Sequence, residues 1–223
     1  GGYPSFTDLP RWRRQFGLLA RIPFLGCMLR IIGSELFPAA VKAQPKAFGV
    51  LHYASSLPGA YMLRRGLFLP YEMKGLVGAE MARDGLARLR PLRRMAQQLD
   101  PDPGTMNGRI CVLESENYMR NQLLRDADWA GMAHSLEIRV PLVDWHLATA
   151  IAPYMRSLTA GAGKQALARA PVKALPDVVC QRAKTGFGVP TGAWMANVDG
   201  MSASSSKGAI SRHWSKRVLG QAF

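Results

Sequence analysis

The sequence predicts a mainly α-helical protein, and three observations carry that expectation. No Gly or Pro interrupts Ile110 to Ala130, which is room for one long continuous helix. Pro58, Pro70 and Pro91 fall where further helices would start or break. Runs of alternating β-branched residues, the mark of half-buried strands, are missing, and so is any internal repeat.

The bulk properties bound the rest. At 223 residues and 48% hydrophobic, the chain can bury a sizeable core, as one domain or as the larger part of one. Lys and Arg number 29 against 15 Asp and Glu, a net charge of +14 that admits polyanions as partners. Cys27, Cys111 and Cys180 are odd in number and far apart, which argues against a disulfide framework or a CxxC metal site and fits a reducing cytoplasm. His52, His134, His146 and His213 are each isolated, so no metal-ligand cluster is visible. Gly1 is not an initiation residue, and the expectation is that the chain begins inside a longer reading frame.

Taken in order, Asp8 suits a helix cap with Pro10 in the first turn, and Trp12, Phe16, Leu19 and Ile22 follow at amphipathic spacing. Arg11, Arg13, Arg14 and Arg21 on the other side would serve a solvated surface or grip phosphates. From Gly17 to Phe37 the chain is apolar, yet Arg21 and Arg30, each costing roughly 2.5–3.5 kcal/mol at mid-bilayer, and Pro23 favour two short core helices over a membrane span. Helical patterning continues from Pro45 to Leu99, the turn Asp100-Pro-Asp-Pro-Gly ends that group, and the long helix opens near Thr105. Beyond Met155 come a loose Thr159–Gly163, a helix Lys164–Ala170 and a short apolar helix near Leu175 to Cys180.

Two stretches carry chemistry. On a 3.6-residue period Glu114, Asn117, Asn121, Arg125 and Asp128 share one polar face of the long helix, with Leu113, Leu123, Leu124 and Ala127 largely outside it. Val140 precedes Pro141 and is pushed toward extended geometry, so the helix delivers a loop. In that loop Glu137 and Arg139 point the same way and Asp144 caps a helix Trp145–Met155. By spacing alone this equally describes a solvated helix face and a structural ion pair. The second stretch, Arg182, Lys184, Thr185, Gly186 and Gly188, is a basic glycine-containing turn whose N–H groups and ammonium suit a phosphate or pyrophosphate, although it is no Walker motif and alone would pass for a solvated loop.

The wording of these stretches resembles the synthetase domain of glutamine-hydrolysing asparagine synthetases. The likeness lies in MAHSLEIRVPLVD at 132–144, preceded by LLRDAD, together with GGYPSF at 1–6, SLPGAYMLRRGLFLP at 56–70, GKQALARA at 163–170 and RAKTGFGVP at 182–190, all in family order. It runs to about Trp194. The resemblance implies a fold: the helical C-terminal portion of an adenine-nucleotide α-hydrolase-like (ATP pyrophosphatase) α/β domain, most of its parallel sheet missing. It would span residues 1–196, with 197–223 a divergent, mobile tail. It also implies a reaction: ATP with Mg adenylates the aspartate side-chain carboxylate, and ammonia from glutamine displaces AMP. Lys184 matches the family lysine aimed at the leaving pyrophosphate; Glu137 and Arg139 would shape the nucleotide and aspartate pocket, with Asp128 and Arg182 as supporting polar residues.

Departures from the family are as informative. The Ser-Gly-Gly-x-Asp-Ser pyrophosphate loop, the Gly-Asp-Glu pair that should precede Gly-Gly-Tyr, and the glutaminase domain with its terminal Cys do not occur in these residues, and Asp126 and Trp129 stand where many relatives carry other types. The expectation is a ligase of this family, inactive as the given chain alone, with the Mg ligands upstream. Two alternatives stay open: a basic helical module for nucleic acid or another anionic surface, and a related ATP-dependent amide-forming ligase with another carboxylate. The core-like spacing of Trp12, Phe16, Tyr61 and Phe68 argues against nucleic acid. No membrane partner is expected, and a homodimer is left open.

Overall fold

A computed structural model describes residues 3–22, 24–155, 157, 162–173, 175–183 and 207–222. Among these every regular element is helical and no strand occurs, as the missing alternation requires. The order is α1 Ser5–Phe16, α2 Leu25–Leu36, α3 Pro38–Ala43, α4 Pro45–Tyr53, α5 Leu57–Arg65, α6 Lys74–Val77, α7 Ala79–Leu89 and α8 Pro91–Gln97. There follow α9 Met106–Leu113, a π-helical segment Glu114–Leu124, α10 Arg125–Met132, α11 Trp145–Met155, α12 Ala162–Arg169, α13 Asp177–Cys180 and α14 Lys207–Ala222. The chain forms two compact units, residues 1–65 with 91–175, and residues 66–90 with 176–223.

In the first unit α1 packs on α5 and α9, and α4 packs on α2 and α5. Leu9, Ala54, Ala60, Tyr61, Leu63, Ile110 and Leu113 are sealed from solvent in that core. Each large aliphatic or aromatic side chain so buried contributes about 1.5–3 kcal/mol. Residue type explains the helix boundaries. Thr105 accepts the Gly108 N–H at 3.0 Å and caps the long helix. Pro38, Pro45 and Pro91 stand first in their helices, where a missing N–H costs no bond.

Several expectations change. Asp8 does not cap α1, which starts at Ser5 and carries Pro10 inside; Asp8 instead pairs with Arg64 of α5 at 3.2 Å. Residues 17–37 are not core helices: Leu18, Leu19, Ile22, Phe24, Met28, Ile31, Ile32 and Leu36 are exposed. The reason is visible at Gly26 and Gly33. A Cβ on Gly26 would lie 2.6 Å from the His52 nitrogen, and one on Gly33 would lie 2.8 Å from the Phe48 ring, so α2 lays its small residues on α4 and turns its large ones outward.

In the second unit α6 packs on α7 and α14. Arg212 of α14 donates to the Leu67 carbonyl, pairs with the Glu72 carboxylate and lies over the Phe68 ring at 4.4 Å. Glu72 also accepts the Leu69 N–H at 2.8 Å. The tail expected to be mobile thus includes a 16-residue helix with a specific anchor; residues 197–206 lie outside the described residues.

Candidate functional site

Residues Met106 to Met132 form one helix without a break, opening after Thr105 as expected but different in its middle. Over Glu114–Leu124 its geometry is π-helical, a form with wider turns than the 3.6 residues on which the polar face was laid out. That face does not survive intact. Glu114 is buried, half-buried Asn117 bonds the Gln98 side chain and the Leu113 carbonyl, and Asn121, Arg125 and Asp128 are exposed. Asn121 donates to the Glu116 carbonyl five residues back at 3.1 Å.

Glu114 is buried because Arg65 meets it. Arg65 Nε donates to Glu114 Oε1 at 3.1 Å and Nη2 to Oε2 at 2.6 Å, a two-pronged pair. The Tyr118 ring lies 3.6 Å from the guanidinium carbon and the Tyr3 ring 5.1 Å away. The two rings meet edge to face at 5.4 Å. Burial alone would lower the Arg65 pKa, but the Glu114 hydrogen bond and charge outweigh it and hold it above the ordinary value. Burial, then the Glu114 charge, pushes the fully buried Tyr61 phenol up.

At its far end the helix turns back on itself. The Gly131 carbonyl accepts the His134 N–H at 2.9 Å and the Leu136 N–H at 3.0 Å, while Ser135 takes a left-handed φ of 55°. The returning strand of chain lies so close that a Cβ on Gly131 would stand 2.6 Å from the Leu136 oxygen. From there residues 136–140 run without regular structure. Arg139 Nε donates to Glu137 Oε1 at 3.1 Å and Nη2 to Oε2 at 3.4 Å, so the two side chains do share a side, about four-fifths and seven-tenths exposed. Asp144 caps α11 by accepting the Leu147 N–H at 2.7 Å, as expected.

Of the five residues singled out from the sequence, Glu137 and Arg139 are joined directly. Asp128 is exposed on α10 of the same unit, Arg182 is exposed in the second unit, and Lys184, with its glycine turn, lies outside the described residues. Gly131 and the Arg65–Glu114 pair are contributors the sequence reading missed. Glycine late in a helix before a charged run was a readable signal for the first; nothing local signals the second, whose partners are 49 residues apart.

The longest helix of the described residues thus ends in a solvent-facing loop that carries the Glu137–Arg139 pair. The asparagine synthase family model matches residues 1–209, and the chain belongs to that family. It is 34% identical over 92 residues, 40% of its length, to glutamine-hydrolysing asparagine synthetase 1 of Bacillus subtilis (strain 168), and that match spans 14% of the Bacillus protein. No solved structure matches. The family match runs past the boundary expected at residue 196.

Proposed function

We propose that this chain serves ATP-dependent asparagine synthesis, and that residues 136–140 are the part of it that holds an anionic substrate. The observation that carries this reading is the family match over residues 1–209 together with the exposed Glu137–Arg139 pair inside it. In the proposed reaction an aspartate side-chain oxygen bonds to the α-phosphorus of ATP as pyrophosphate leaves. Ammonia then bonds to the acyl carbon, AMP leaves, and the proton lost by nitrogen goes to solvent.

The chain's own residues have definable tasks. Glu137 engages Nε and one Nη of Arg139, which fixes the plane of the guanidinium and leaves its Nη1 edge for a carboxylate or phosphate oxygen. An exposed pair is worth about 0–1 kcal/mol, so an incoming anion can share or displace Glu137 with little penalty. Lys184 is assigned to the charge growing on the leaving pyrophosphate, with Asp128 and Arg182 as supporting polar groups. No group of three or more His, Cys, Asp or Glu among the described residues could hold a metal ion. Magnesium in such a reaction is commonly held by one or two carboxylates together with the substrate phosphates, and no described carboxylate is assigned to it.

The test uses protein expressed from its full genomic reading frame and supplied with ATP, magnesium, ammonium and aspartate. Pyrophosphate and asparagine are expected in equal amounts, with Arg139→Gln lowering both about tenfold or more. Pyrophosphate release independent of aspartate would reassign the carboxylate substrate. No release with any amino-acid carboxylate would remove the ligase reading.

A further inference from the structure

Arg65 is the last residue of α5 and is partly buried: the buried Glu114 carboxylate takes two of its donors, and the Tyr118 and Tyr3 rings lie against it. An ion pair with its carboxylate buried contributes little net stability compared with apolar residues of the same shape, so its presence calls for another explanation. Its place in the long helix supplies one. Ile110, Leu113 and Glu114 are the last residues of that helix to be buried before Gly131. From Arg120 onward most residues are exposed, and α10 buries only Gly131, against its own returning loop. Little apolar burial therefore fixes the direction of the outer half.

We infer that Arg65 is a positioning residue: through its two-pronged bond to Glu114 it aims the long helix, and with it the Glu137–Arg139 loop. It rests on the substrate-binding reading of that loop given above. The outer half from Glu114 to Met132 is about 25 Å long at roughly 1.5 Å per residue, so a tilt of about 5° at Glu114 moves the loop by about 2 Å. A two-pronged pair is directional where an apolar contact is not, and Tyr118, one turn along the same helix, holds the guanidinium in its plane. A displacement of about 1 Å at a reacting group can cost on the order of 100-fold in rate.

The deciding variant is Arg65→Met/Glu114→Leu, which keeps volume and burial but removes direction. Spin labels at Ala47→Cys on α4 and His134→Cys beyond α10, in a background of Cys27→Ser, Cys111→Ala and Cys180→Ser, report the loop's position within the first unit. The double variant is expected to melt within a few degrees of the parent. It should nevertheless shift or broaden the label distance by about 2 Å or more and lower kcat/KM for aspartate about 10–100-fold. Distances and rates equal to the parent's would overturn the assignment. Should the double variant not fold, Glu114→Gln, which keeps the shape and loses the charge, carries the same measurement with the same two outcomes. If the parent protein shows no aspartate-dependent activity the ligase reading falls, and the distance measurement alone still decides the positioning role.

Discussion

Ile110 and Leu113 are sealed from solvent, whereas Trp129 and Met132, on the same unbroken helix, are more than half exposed. The inner half of the helix is a core element, packed on α1 and tied to Arg65 of α5 through charge. The outer half holds little beyond itself and its loop. Buried and exposed surface are thus divided along one helix, and substitutions at the two ends should report on different quantities.

The largest effect on stability belongs to the inner end. Ile110→Ala is expected to lower unfolding free energy by about 2–5 kcal/mol. Leu142→Ala, on the outer loop and two-thirds exposed, should change it by less than about 0.5 kcal/mol. Thermal melting of the pair decides: equal losses would erase the division. For activity the largest effect is assigned to Lys184→Ala, about 10²–10³ in adenylation rate with little change in melting, read by pyrophosphate release from the protein in its full reading frame. Near-normal release would take Lys184 out of the mechanism.

Gly131→Ala comes next, because its new methyl meets the Leu136 carbonyl. Overpacking of this kind costs about 1–3 kcal/mol, and here the strain should stay local. Faster amide exchange at residues 134–138, with unchanged protection at residues 107–113, is the expected pattern, and uniform loss of protection would mean the two halves unfold together. Glu137→Gln should alter melting by less than about 1 kcal/mol, since the pair is exposed, while changing the affinity for the anionic substrate.

The smallest effect is one of pH. Arg109 beside Asp102, then the Gly104 N–H, hold the Asp102 carboxyl at about 2 against an ordinary 3.8. A depressed carboxylate pKa stabilises the fold above the unfolded value and loses that contribution as pH falls through the folded one. Asp102→Asn should therefore lower the melting temperature slightly at neutral pH, by less as pH falls from about 4 toward 2. A difference undiminished at pH 2 would mean the asparagine acts through something other than lost charge.

How much of this was legible depends on how local each cause is. The α11 helix and its Asp144 cap, the Thr105 start and the side shared by Glu137 and Arg139 were all readable, because each is settled within a few residues. The burial of Glu114 was not, since a lone Glu in a polar stripe reads as solvated until a partner 49 residues away arrives. The π-helical turn defeated a 3.6-residue projection over the residues of greatest interest. The outward turn of α2 defeated the rule that large apolar residues face inward, since Gly26 and Gly33 allow α4 to approach the opposite side.

The anchor that Arg212 makes with Leu67 and Glu72 sets a clock on biosynthesis. Residues 66–90 leave the ribosome about 120 residues ahead of α14, a wait of roughly 6–24 s at 5–20 residues per second. Throughout that interval Glu72 has no guanidinium and Phe68 no cover from Arg212. The second unit is therefore completed only once α14 has emerged, which makes residues 66–90 the stretch that a nascent-chain chaperone would meet in its open form.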